Sequence, residues 1–538
     1  MRQPRKEPFP PRSLGAVAPA PPDADVRHYF LFLFVAALIL HGMAALVGFG
    51  NTLNDCHFFR QTQTAISTYY TVKNGFSIDY ITPVMGAPWS IPMEFPLYQW
   101  IVAAIVRWGH LPLEATGRAI NLFFFYATLF PLFGLLRYWL PAKEKCWLLL
   151  TFVVLNPTYL FWSRTFMIES TALFFAVLFA WAFVGLLKYG KLVFMAIAMV
   201  ALTFAGTVKI TTIPVYLLIA IGVYLWFWRH EQQPLKRQTV VRYLAYGMVC
   251  VGIPLLLAMA WTVHADQVKA LNPLAADFIT SGALTSWNFG TLEQRLSANV
   301  WGTILSHALI FFHIFGVTNV SNFVVPNLFI VMLVGLCFNS KRRMEITLSL
   351  GLFFVLPLIF TNVHYAHNYY GYPNALFISI VLGFIFLSFI ENGNKKLRQS
   401  TLFVFIPLCL FLHLRLYSLS YFPLQEQNHP YPQIASVVKM SLNENDVMLI
   451  YGCDWDPTLA YASGCRAVMD KNNRPLTSAK MIQSIKNTGK DRIRAMIVPA
   501  TYTETFIEER IRLFGFSPVP TYREGEMLLF LRPTVEED

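Results

Sequence analysis

At 538 residues, with 55% hydrophobic and only 13% charged side chains and a mean hydropathy of +0.48, the chain holds more apolar sequence than a soluble core of that size needs. It reads as a polytopic α-helical membrane protein. The net charge of +12 does not mark a nucleic-acid partner, because the Lys and Arg fall in short clusters between apolar runs, the distribution of the positive-inside rule.

Residues 1–28 are basic and rich in Pro and Ala, with no small-residue cleavage site after a short apolar core. They are expected to form a disordered cytoplasmic tail with no cleaved signal peptide. Spans are taken as runs of roughly 17 to 25 apolar residues, oriented by the Lys/Arg loops. The first, residues 29–48, leaves the tail inside and puts a first loop, residues 51–118, outside. In that loop Asp55, His57, Arg60, Asp79, Glu94 and Tyr98 lie among apolar segments, where ionisable groups are expensive and usually functional. Residues 97–106 are too short to cross and are expected to form an interfacial or half-inserted helix.

Residues 120–140 then cross to Arg137, Lys143 and Lys145, and residues 147–162 return to Arg164 and Glu169 on the outer face. Further spans are read at 172–187, 192–206, 213–228 and 243–263, with Lys209 as a lone cation at an outer helix end. A long outer segment follows, in which residues 300–315 are expected to form a second half-inserted helix carrying His307 and His313. Spans at 324–338, 346–360, 375–390 and 402–416 complete the series, with the polar run NVHYAHNYYGYP on the outer face. The total is about eleven spans. From residue 421 to 538 the composition becomes that of a soluble domain. The runs DVMLIYG, CRAVMD, IRAMIVP and EGEMLLFLR read as strands alternating with helices at AKMIQSIKNTG and TETFIEERIRLFG, so a small α/β layer domain is expected on the outer face.

Of the seven cysteines, Cys453 and Cys465 flank one strand-turn-strand unit on the side expected to be oxidising, and they are disulfide candidates. No CxxC or HExxH spacing supports a preformed metal site. The cofactor left open is a divalent cation held by Glu94 and Glu169.

The outer-face charges Asp55, His57, Arg60, Glu94, Arg164, Glu169, Lys209, His364 and His367 suit an anionic ligand held by cations and a nucleophile deprotonated by a carboxylate or imidazole. Structural readings stand beside this one. Arg164 and Glu169 are close enough in sequence to be an ion pair, Lys209 is able to snorkel to headgroups, and His364 and His367 sit where interfacial anchors are common.

In order, HFFRQTQTA, MEFPLYQW, WSRTFMIES, GTVKIT and HYAHNYYGYP resemble the GT-C superfamily of polyprenyl-phosphate-sugar-dependent glycosyltransferases. The nearest branch is that of protein O-mannosyltransferases and lipid A aminoarabinose transferases. The resemblance covers residues 29–420 and implies a transmembrane catalytic domain with a trailing outer domain. It implies an inverting transfer of a sugar from a polyprenyl-phosphate donor to a hydroxyl of a glycolipid, polysaccharide or protein, in a bacterial inner membrane, with the C-terminal domain in the periplasm.

In the family register His57 stands where an Asp is usual and Asp55 lies two residues earlier, so the resemblance leaves the base between Asp55 and His57, with Glu94 as a further catalytic carboxylate. It places Arg60, Arg164, Lys209, His364, His367 and Tyr370 around the donor phosphate, and Glu169 and Gln61 as acceptor or orienting groups. A transporter or flippase of a lipid-linked sugar is the alternative, and it predicts inverted repeats and charges at mid-membrane.

Overall fold

The computed structural model describes residues 24–229, 237–308 and 342–533. Among these, seven helical stretches are long and apolar enough to cross a membrane. They begin with α1 (Ala24–Leu46). The first loop holds α2 (Phe58–Asn74) and α3 (Leu97–Gly109). After it come α4 (Leu113–Trp139), α5 (Lys143–Val154), α6 (Pro157–Trp162), α7 (Glu169–Tyr189), α8 (Leu192–Lys209) and α9 (Ile213–Arg229). Helices α8 and α9 form one 38-residue stretch interrupted by a tighter turn at Ile210–Thr212. The remaining long stretches are Arg237–Ala270, Asn368–Asn392 and Lys395–Ser420.

Helix α3 has the expected place and its 13 residues cover about 20 Å at 1.5 Å per residue, short of the roughly 30 Å hydrocarbon core. The expected span at 147–162 is instead two short helices. Pro157 cannot continue α5, and Asn156 caps the new start by accepting from the Thr158 amide at 2.9 Å. The span at 324–338 and part of the expected half-inserted helix at 300–315, including His313, lie outside the described residues; of His307 only its position in the helix Ala298–Ala308 is described.

Helix α7 and the helix Tyr372–Asn392 are buried on all sides along most of their length and form the centre of the bundle. An added Cβ at Gly383 would lie 2.8 Å from Leu149 Cγ, so a residue without a side chain lets the central helix approach α5 closely. At the end of the bundle opposite the first loop, Glu391 pairs with Lys145 at 2.6 Å and with Arg342 at 2.9 Å.

Beyond the other end lies a five-stranded sheet in the order β2-β1-β3-β5-β4. Its strands are β1 (Val447–Ile450), β2 (Arg466–Met469), β3 (Ile493–Pro499), β4 (Tyr522–Glu524) and β5 (Met527–Leu531). The three strands β2, β1 and β3 run parallel, and β5 and β4 add antiparallel. Each of the four expected strands is present; β4 is an addition.

This layer does not stand by itself from residue 421 onward. Ile66 and Tyr70 of α2, with Val84, Met85 and Ile91 of the first loop, share one buried apolar cluster with β1, β2 and β3. Residues 83–86 run along the free edge of β2: the Ala467 amide donates to Pro83 O at 2.9 Å, Met469 to Val84 O at 3.0 Å, and Gly86 back to Ala467 O at 3.0 Å. A covered edge is one that cannot pair with another chain.

The disulfide expected between Cys453 and Cys465 is not formed, and both are free thiols. In the parallel register Val447 stands opposite Arg466 and Ile450 opposite Met469. Cys465 therefore precedes its strand and Cys453 follows the neighbouring one, at opposite ends of the sheet, beyond the Cα separation a disulfide spans.

Candidate active site

Asp55 and His57 precede α2 and face different surroundings. His57 is the residue before the helix, in the left-handed region at φ 52°, ψ 43°. Its carbonyl accepts from the amides of Arg60 at 2.9 Å and Gln61 at 3.2 Å, which starts the helix. The imidazole lies among the rings of Tyr369, His367 and Trp162, at centroid distances of 5.0, 5.3 and 5.6 Å.

Asp55 turns to the other side. Its carboxylate pairs with Arg118 at 3.5 Å and accepts from the Gln61 side chain. Burial raises the Asp55 pKa above the usual carboxylate value, against the charges of Arg118 and Arg164. Gln61 also donates to Cys56 O at 3.0 Å and accepts from the Phe166 amide at 3.1 Å, so it ties the first loop to the turn between α6 and α7.

Arg118, near the start of α4, is fully buried. It donates to the carbonyls of Phe49 and Thr52, each at 2.9 Å, and to that of Asn51. Sequence reasoning passed over this residue as the end of a loop. Its signal was an arginine followed directly by an apolar run, where a cation requires partners.

On the His57 side, α2 contributes Arg60, which meets Glu94 at 3.3 Å. Glu94 also accepts from Gln99 at 3.1 Å. Burial works against the charge on Arg60, but Glu94, then Glu169, hold its pKa above the ordinary arginine value. Lys209, at the end of α8, meets Glu169 at 2.6 Å and lies over the rings of Tyr370 at 4.2 Å and Tyr369 at 5.3 Å. Both partners are buried, so Lys209 points into the protein instead of snorkelling outward. A backbone bond from Phe95 to Thr207 O at 2.9 Å fastens the Glu94 loop to the end of α8.

Glu169 thus pairs with Lys209 and not with Arg164, whose guanidinium donates to Gly48 O at 2.8 Å beside Asp55. His364 is buried with its Nδ1 2.8 Å from Phe360 O and its ring 6.0 Å from that of Tyr370. His367 reaches His57, stacks near Tyr369 and touches Trp287. Burial first, then the charges of His57, Lys209 and Arg60, push the His367 pKa down to about 4, so its imidazole is neutral at neutral pH. Of the other first-loop residues, Asp79 pairs with His264 at 2.6 Å and Tyr98 donates to Gly117 O at 2.7 Å, away from this cluster.

The expected residues therefore form two adjoining groups. One holds His57, Arg60, Glu94, Glu169, Lys209, His367 and Tyr370, with His364 next to Tyr370, and the other holds Asp55, Gln61 and Arg164 with Arg118. Tyr369 and Trp162 belong to the first and were not singled out in the sequence, where Tyr369 is one aromatic of the run NVHYAHNYYGYP and Trp162 the last residue of an expected span. The divalent-cation expectation does not fit this donor set. Among the described residues no three His, Cys, Asp or Glu side chains come together as a metal site, and Glu94 and Glu169 are each occupied by a cationic side chain.

No protein-family model matches the sequence, and no curated protein matches it either. The fold is matched by solved structures, and it is the GT-C fold. ArnT from Cupriavidus metallidurans bound to undecaprenyl phosphate is similar with a TM-score of 0.56 at 11% identity, over 94% of this chain and 98% of that one. The same protein in the apo state gives 0.50 at 12% identity, over 93% and 97%. The arabinofuranosyltransferase AftD from Mycobacteria gives 0.51 at 13% identity, over 95% of this chain but 40% of AftD.

Proposed function

We propose that this protein is a membrane glycosyltransferase that moves a sugar from a polyprenyl-phosphate donor to an acceptor hydroxyl. The observation that carries the reading is the pair of Arg60 and Lys209, two largely buried cations from α2 and α8 that lie close enough to repel one another, with Lys209 and the His57 imidazole against the same Tyr369 ring. Both cations are held by carboxylates that a phosphate can partly replace, and charge-assisted contacts to an anion in a dry site are strong. Undecaprenyl phosphate bound to ArnT, a structure of the same fold, is consistent with such a ligand here.

In this mechanism the donor phosphate sits against Arg60 and Lys209, with Tyr370 and His364 behind it. His57 takes the proton of the acceptor hydroxyl. The hydroxyl oxygen forms a bond to the anomeric carbon as the bond from that carbon to the phosphate oxygen breaks, and the configuration inverts. The leaving polyprenyl phosphate carries the negative charge, which the two cations stabilise, and His57 releases its proton to water. Asp55 fixes the first loop through Arg118 and Gln61 and acts as a positioning residue. The site opens to the outer leaflet of a bacterial inner membrane, because the basic clusters at the opposite end belong to the cytoplasm by the positive-inside rule. The transporter alternative requires charges at mid-membrane, whereas these gather near the helix ends.

The test is equilibrium binding of undecaprenyl phosphate to the full-length protein in nanodiscs, with undecaprenol as the uncharged comparison. The phosphate is expected to bind at least about tenfold tighter, and Lys209→Ala or Arg60→Ala to remove most of that preference, since a hydrogen bond to a charged group contributes about 1.5–3 kcal/mol. Equal binding of both lipids overturns the reading.

A further inference from the structure

The outer α/β layer carries a second feature that the proposed transfer chemistry does not use. Strands β2, β1 and β3 are parallel with β1 in the middle. The chain leaves β1 for β2 on one side, through the helix Thr458–Ser463, then crosses back over β1 to β3 through the helix Ala479–Thr488. Right-handed crossovers put those two helices on opposite faces of the sheet. The loops after β1 and β2 therefore lead to opposite faces, and the direction of strand addition reverses at β1. In open α/β sheets that point is a crevice where ligands bind.

The loop in that crevice is Cys453-Asp454-Trp455-Asp456. Asp456 is used internally, accepting from the Thr458 amide at 2.9 Å and hydroxyl at 2.6 Å. Asp454 is exposed, in the left-handed region at φ 55°. Trp455 is half-buried, its ring perpendicular to that of Phe59 at a centroid distance of 4.7 Å and 6.4 Å from that of Phe278. Lys471, from the loop after β2, lies 5.5 Å over the Phe278 ring and acts on the Asp454 carboxylate. Phe59 directly precedes Arg60 in α2, and Thr62, one turn on from Phe58, meets the Thr458 hydroxyl at 3.2 Å. The crevice thus stands over the first turn of the helix that supplies the phosphate-binding cation.

We infer that this crevice is an acceptor subsite for a carbohydrate, with one sugar ring stacked on Trp455 and its hydroxyls shared between Asp454 and Lys471. The inference rests on the proposed glycosyltransferase reading and names the class of its acceptor. An indole face next to a carboxylate and an ammonium matches the two sides of a pyranose, apolar C–H groups on a face and hydroxyls around the rim. An extended peptide fits less well, because the sheet edge nearest the site, that of β2, is already taken by residues 83–86.

Full-length protein in detergent, without donor, is applied to an array of immobilised lipopolysaccharide-core and capsular oligosaccharides and to a peptide array. Wild type is expected to bind at least one oligosaccharide class. Trp455→Ala should weaken that binding about tenfold or more and Trp455→Phe by no more than about threefold. Where Trp455→Ala fails to give a monodisperse protein, Asp454→Asn, at an exposed position, is expected to lower the same signal. Absence of oligosaccharide binding, binding equal in Trp455→Ala, or binding to peptides alone overturns the inference. Because no donor is present, these outcomes are read independently of whether the protein transfers a sugar.

Discussion

Two residues apart in sequence, Asp55 and His57 differ in what they can do with a proton. Asp55 is held by Arg118 and Gln61, while His57 faces the rings of His367 and Tyr369. On this basis His57→Ala is expected to lower the rate of sugar transfer by about 10²–10⁴-fold, the usual contribution of a positioned base. Asp55→Asn keeps the shape and the Gln61 contact of the side chain and is expected to cost less, about tenfold, with the loss mostly in kcat. Equal losses in a transfer assay would return the choice of base to open competition. The sequence alone could not separate the two, because the left-handed turn at His57 that sends them apart is set by packing.

His367 gives a pH signature. In the unfolded chain its imidazole takes up a proton as pH falls through 6.5, but in the folded protein only near 4. Between those values the unfolded state binds more protons, so stability falls as pH drops from 6.5 towards 4 and is unaffected above 6.5. His367→Gln should flatten that slope in thermal unfolding measured from pH 4 to 7; an unchanged slope contradicts the buried neutral imidazole.

At the scale of elements, Arg118 joins α4 to the start of the first loop through three carbonyls and Asp55. Arg118→Met removes these and the 3.5 Å ion pair with the buried Asp55 carboxylate, a change expected to cost about 3–5 kcal/mol. It should appear as a lowered Tm in detergent. Gly86 sits at φ +73°, and an added Cβ would lie 3.1 Å from Thr488 Oγ1. Gly86→Ala is expected to loosen residues 83–86 from β2 at about 1–3 kcal/mol, seen as faster limited proteolysis of the first loop.

The strong periodicities were legible in the chain. Runs such as IRAMIVP read as a strand and AKMIQSIKNTG as a helix, and both are present. Features that depend on distant partners were not. The strand β4 is three polar residues that pair only because β5 lies beside them, and residues 83–86 carry no strand pattern yet line β2. The Cys453–Cys465 pairing failed for a related reason: nearness in sequence does not show that parallel neighbours put the two thiols at opposite ends.

Over the whole molecule, a helical bundle gathers basic clusters at one end and a mixed cluster of cations, carboxylates and imidazoles at the other. The first loop and the C-terminal layer share a core above the second. Hydropathy and Lys/Arg placement gave the bundle, and the order of short motifs gave the GT-C resemblance that the solved structures bear out as a fold. Which side chains pair across the site, Glu169 with Lys209 above all, required three dimensions.

The most direct test is transfer itself. Purified full-length protein is incubated with polyprenyl-phosphate donors carrying radiolabelled sugars and with a bacterial envelope extract, and the label is followed by chromatography. The account predicts that label from at least one donor moves to an acceptor, that polyprenyl phosphate is released in equal amount, and that His57→Ala abolishes both. Label that stays on the donor with every sugar, or that moves as well in His57→Ala as in wild type, would contradict it.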